Sequence, residues 1–190
     1  GARVDGTTGN TTWSGPGALL DLDASAGLTI GGPGLGPNAA LTDVGATLAA
    51  SGELRIAAGA DTSDVALTLT PRSSLTSNAR FDPAWSTGGP SRIEVQASGL
   101  VNLEGTVRAT DPGADISIAT DSLVIVDGLV SAHDSLSIDA GSHHTRLGVV
   151  VKPVVASADP GGSPRGGVLD VASGGSISLS AIDGIELSGI

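Results

Sequence analysis

The chain has 190 residues, enough for one domain with a sizeable core, and it carries a formal net charge of −11. The acidic charge argues against binding to nucleic acid, and the absence of cysteine excludes disulfides, thiolate metal sites and cysteine nucleophiles. Apolar residues reach 39% with one Phe, two Trp and no Tyr or Met, so Ala, Val, Leu and Ile must fill the core.

The N-terminal half alternates short aliphatic strands with loops. Alternating apolar pairs predict strands at Leu20/Leu22, Leu28/Ile30, Leu54/Ile56 and Val65/Leu67. The segments 31–45 and 71–92 are rich in Gly, Pro and Ser, which are turn and loop residues. We expect both segments to be loop insertions between strands.

The middle of the chain contains a repeat. LVNLEGTVRATD (100–111) matches LVIVDGLVSAHD (123–134) at six of twelve positions, at an offset of 23 residues. The match extends backwards, so residues 93–111 and 116–134 are two copies of one unit. Three strands are predicted in the second copy, with inward pairs Ile116/Ile118, Leu123/Ile125 and Val130/Ala132.

The pattern continues to the C-terminus. A third unit begins at Leu136, 20 residues after Ile116, and the shorter spacing matches an extra turn at residues 111–113 in the first copy. Strands follow within 146–157, a Gly- and Pro-rich insertion at 158–167, and a last coil with the pairs Leu169/Val171, Ile177/Leu179 and Ile185/Leu187. No stretch keeps helical spacing for three turns.

These features predict an all-β fold, a right-handed parallel β-helix with three short strands and about 20–23 residues per coil. Residues 1–190 would form a single β-helix segment of a longer protein, with seven or eight coils and insertions at 31–45, 71–92 and 158–167. A β-sandwich is the alternative, but it needs hairpin turns and core aromatics, which are scarce in this sequence.

The unit SLVIVDGLVSAHDSLSIDAG (122–141) resembles the haemagglutinin-type repeats of filamentous haemagglutinin-like adhesins and related large bacterial exoproteins. The segments 93–111 and 50–61 share the pattern, and together the clear matches cover about a third of the chain. The resemblance implies a secreted or cell-surface rod that acts as an adhesin, stalk or spacer. The chain departs from the family in its long loops and in lacking a recognisable secretion segment.

The segment 71–92 is the candidate contact site. It contains the only Phe, Phe81, together with Trp85, Arg80 and Arg92, and aromatic and Arg side chains on a loop can bind a glycan or protein partner. The structural alternative is that Phe81 and Trp85 pin the loop against the side of the rod. We expect Trp13, the other Trp, to be a local packing residue.

Metal and catalytic sites have weaker signals. The histidines, His133, His143 and His144, lie in predicted turns, and the last two are adjacent and would face opposite ways on a strand. Six turn aspartates, Asp111, Asp115, Asp121, Asp127, Asp134 and Asp139, are candidate ligands of a structural Ca²⁺, although the nonapeptide Ca²⁺ repeat is absent. Carboxylates are spread along turns rather than clustered as a β-helix lyase or hydrolase would need.

The sequence therefore favours a structural and adhesive segment of a large secreted or cell-surface bacterial protein, without a cofactor and without catalysis. Its expected partners are a surface glycan or protein and other segments of the same long chain stacked end to end. Neither nucleic acid nor membrane insertion is expected. The alternative function is a carbohydrate-binding or carbohydrate-active β-helix module.

Overall fold

The protein is all-β in the part of the chain that this computed structural model describes. The described residues are 2–4, 11–13, 19–24, 28–30, 32–33, 43–44, 47–50, 52–59, 65–78, 91–141, 148–154 and 166–188, with side chains from residue 47 onward. Within these ranges there is no helix of the length and hydropathy needed to span a membrane.

Twenty-one strands lie within the described ranges. The first ten are β1 (Ala2–Val4), β2 (Thr11–Trp13), β3 (Leu19–Ala24), β4 (Leu28–Ile30), β5 (Gly32–Pro33), β6 (Asp43–Val44), β7 (Thr47–Ala50), β8 (Glu53–Ala58), β9 (Val65–Leu69) and β10 (Ser74–Ser77). The others are β11 (Arg92–Ala97), β12 (Leu100–Leu103), β13 (Thr106–Ala109), β14 (Asp115–Thr120), β15 (Val124–Val126), β16 (Leu129–Ala132), β17 (Ser135–Ala140), β18 (Val149–Val151), β19 (Val168–Val171), β20 (Ser176–Ala181) and β21 (Ile185–Leu187).

Apart from β5 and β6, successive strands along the chain belong to three parallel sheets, A, B and C, in a fixed order. Sheet A has the order β1-β4-β9-β12-β15-β18-β21, sheet B the order β2-β7-β10-β13-β16-β19, and sheet C the order β3-β8-β11-β14-β17-β20. Strands β5 and β6 form a separate antiparallel pair within the predicted insertion 31–45. One strand from each sheet makes a coil, so the described strands form six coils followed by β21. The predicted parallel β-helix with three strands per coil is confirmed.

The predicted coil length holds in the middle of the chain. Ile93 pairs with Ile116, and Ile116 pairs with Leu136, which are the two spacings that the repeat predicts. The extra turn of the longer coil is a tight turn in which the Ala114 amide donates to the Asp111 carbonyl at 2.8 Å, with Gly113 at φ 79°. A positive φ suits Gly at the third position of a type II turn, after Pro at the second position.

Two other coils are longer than the repeat, and they contain the segments 71–92 and 158–167 that were predicted to be insertions. The partner of Leu54 in the next coil is Ile93, and the partner of Leu136 is Ile177, so both coils greatly exceed the length of the repeat. The strands keep continuous register across these insertions, because a corner can lengthen without moving the strands on either side of it. Longer coils use more residues per turn of the helix, which is why six coils, and not seven or eight, account for the described strands.

The core consists of ladders of aliphatic side chains that run along the rod. In sheet C, the Leu54, Ile93, Ile116 and Leu136 side chains are stacked in register and each is at most 1% exposed. Parallel neighbours lie about 4.8 Å apart, so each side chain packs against its counterparts in the coils before and after it. Branched aliphatic residues fill a narrow interior well when stacked in this way, and they make up the core of the part of the chain whose side chains the structure describes.

The predicted inward pair Leu123/Ile125 is wrong by one residue. Val124 and Val126 are fully buried, whereas Leu123 and Ile125 are only partly buried. Because all four residues from 123 to 126 are apolar, either alternate pair could face the core. The register with the neighbouring strand decides which pair does. Val124 and Val126 pair with Val101 and Leu103 of β12, which flank the outward-facing polar residue at position 102.

Three glycines occupy equivalent places at the corner between sheets A and B. Gly105, Gly128 and Gly167 each precede a strand of sheet B by one residue. A Cβ on Gly128 would lie 2.0 Å from the Gly105 carbonyl oxygen, and one on Gly167 would lie 2.3 Å from the Val126 carbonyl oxygen. The backbones of successive coils approach so closely here that only Gly fits.

We expect Val126→Asp to destabilise the protein by at least about 3 kcal/mol, because it buries a carboxylate without a partner. Ile125→Asp, one residue earlier on the outward side, is the matched control and should cost less than about 1 kcal/mol. Urea unfolding followed by circular dichroism measures both changes. Equal destabilisation by the two substitutions would contradict the inward assignment of Val126.

Gly128→Ala should destabilise the protein by about 2 kcal/mol or more, because the added Cβ forces the backbones of two coils apart. Arg108→Ala, an exposed position on the adjacent strand β13, serves as the control and should change stability by less than about 0.5 kcal/mol. The same unfolding measurement applies. A Gly128→Ala variant as stable as the control would show that the corner can widen freely.

Candidate contact surface

The structure places a strand inside the predicted insertion 71–92. Strand β10 pairs with β7 on one side and β13 on the other, and its Leu75 side chain is fully buried. The Ser74 hydroxyl donates to the Thr47 hydroxyl of β7 at 3.0 Å. Its sequence SLTS holds one aliphatic residue, too few for an alternating apolar pattern, and only its neighbours in sheet B identify it as a strand.

Buried hydroxyl groups hold the described residues that flank 79–90 at one corner of the rod. The Ser77 hydroxyl donates to the Gly52 carbonyl, and the Ser91 hydroxyl lies 3.4 Å from the Ser77 carbonyl oxygen. Both serines are at most 1% exposed. The Asn78 amide donates to the Ala50 carbonyl and the Arg92 amide to the Gly52 carbonyl, at 3.0 and 3.1 Å. Ser77 and Ser91 therefore lie side by side in a well-packed base.

Of the four predicted contact residues, the structure describes one. Phe81, Trp85 and Arg80 lie outside the described residues. Arg92 is exposed at the start of β11, where it is paired in register with Glu53 of β8 and Asp115 of β14. Arg92 therefore lies between two acidic residues of the neighbouring coils.

The outer face of sheet C carries a charged network that the sequence analysis missed. The Arg55 guanidinium lies 2.9 Å from the Glu53 carboxylate and 3.3 Å from the Glu94 carboxylate. The Gln96 amide donates to the other oxygen of Glu94 at 2.8 Å. Such half-exposed pairs add little stability individually, but they join successive coils across the surface. The sequence could have predicted this network, because Arg55 and Glu94 each lie between two inward residues and must therefore face outward.

Towards the C-terminus the same face is rich in hydroxyl groups. The outward positions of β17 and β20 include five serines, Ser135, Ser137, Ser176, Ser178 and Ser180. The Ser135 hydroxyl and amide both donate to the Asp115 carboxylate, at 2.5 and 3.2 Å. These short polar side chains keep this face hydrophilic with few charged groups.

On sheet A, charges also pair between coils. The chain's single Lys, Lys152, lies 2.8 Å from the Asp127 carboxylate of the previous coil. The Asn102 amide donates to the Glu104 carboxylate at 2.9 Å. These carboxylates are engaged with their neighbours on the surface and do not converge on a common point.

The described residues contain no group of three or more His, Asp or Glu side chains placed to hold a metal ion. His133 lies partly buried at a corner, and His143 and His144 are outside the described ranges. Asp121 and Asp139 line a shallow open cavity of about 470 Å³ beside Gln96. The structural Ca²⁺ considered from the sequence stays a prediction, for which this part of the chain offers no complete ligand set.

Comparison with protein-family models, with curated proteins and with solved structures finds no match for this chain. The resemblance to haemagglutinin-type repeats therefore stays a prediction from the repeat pattern.

Ser77→Ala should lower the stability of the protein by about 1 kcal/mol, because it removes a buried hydrogen bond to the Gly52 carbonyl. Thr76→Ala, at the neighbouring outward position of β10, is the matched control and should have a smaller effect. The Arg92 amide also donates to the Gly52 carbonyl, and its hydrogen exchange should become faster in Ser77→Ala only. Unchanged exchange at Arg92 would show that the hydroxyl does not hold this base.

Proposed function

We propose that this chain is a structural and adhesive β-helix segment of a large secreted or cell-surface bacterial protein. It provides a stiff rod, and its corner insertions, above all residues 79–90, provide the contacts. The proposed contact residues are Phe81, Trp85, Arg80 and Arg92. The partner would be a surface glycan or protein at that corner, with further coils stacking on the ends of the rod.

The observation that supports this proposal most strongly is the continuity of the three sheets. Each coil is joined to the next by three ladders of parallel hydrogen bonds and by a common aliphatic core. Bending such a rod would break hydrogen bonds or open the core on one side, so the architecture resists bending. The described residues on either side of 79–90 are held by buried hydrogen bonds, and a binding loop needs such a rigid base to hold its contact residues in place.

The chemistry of the described surface supports the same proposal. Three of its carboxylates form pairs with neighbouring coils: Asp127 with Lys152, Glu94 with Arg55, and Asp115 with Ser135. These contacts join the outer faces of adjacent coils. A spacer or stalk needs a surface of this kind, soluble and internally cross-linked.

Trp85→Ala should reduce retention on a glycan array or on host-type cells at least about tenfold, because an aromatic anchor carries a large share of the energy of such contacts. Arg108→Ala, an exposed Arg on sheet B, is the control and should bind like the parent chain. Unfolding midpoints of both variants should match the parent. The adhesive part of the proposal fails if the parent chain is retained by no surface, or if Trp85→Ala binds unchanged.

A further inference from the structure

We draw no further inference here: the strongest candidate, the shallow open cavity at the corner between sheets C and A that is lined by Gln96, Asp121 and Asp139, offers two exposed carboxylates, and nothing in the described part of the chain shows what ligand they would hold.

Discussion

The rest of this structure depends on the stacking of parallel strands about 4.8 Å apart, since a single three-stranded coil cannot bury its own inward face. The inward residues of one coil become buried only when the next coil covers them, as Leu54 is covered by Ile93 and Ile93 by Ile116. Residues that are in register in successive coils therefore form a column that runs along the rod, and each position in a coil belongs to one such column. The small aliphatic composition follows, because a column of branched side chains fills a narrow interior better than aromatic rings do.

The same constraint governs the corners and the outer surface. Where successive backbones come closest, between sheets A and B, the column contains Gly105, Gly128 and Gly167, because a Cβ would meet a carbonyl of the previous coil. Where the corner has room, the chain can make a long insertion and return to register, as it does between Leu54 and Ile93. Outward columns bring side chains of different coils together, which is how Arg55 reaches Glu94 and Lys152 reaches Asp127. Corners can therefore accept insertions and outer faces can change their chemistry while the core stays the same.

The sequence predicts the fold well only where the pattern of inward and outward residues is visible within a short stretch of chain. The repeat at 93–111 and 116–134 gave the right coil because both copies are nearly free of insertions, and its offset is the one that pairs Ile93 with Ile116. The inward residues of β15 were predicted wrongly because Leu123 to Val126 are all apolar. In such a run either the odd-numbered or the even-numbered residues can face the core. The same alignment sets Asn102 against Ile125, and that polar partner was the signal for the correct phase. Strand β10 gave no usable signal, since its burial comes from its neighbours and not from its own composition.

The sequence by itself determined the class of fold and the unit that repeats, because turn residues and alternating aliphatic pairs are local properties and an internal repeat is visible without coordinates. Only the tertiary structure decided which residues share a column, since long insertions hide the offset between coils in most of the chain. It therefore decided the charge pairs on the outer faces and the buried serines at the base of 79–90. These features join residues that are close in space but far apart, and irregularly spaced, along the chain. Their positions follow from strand register, and register is a property of the whole stack.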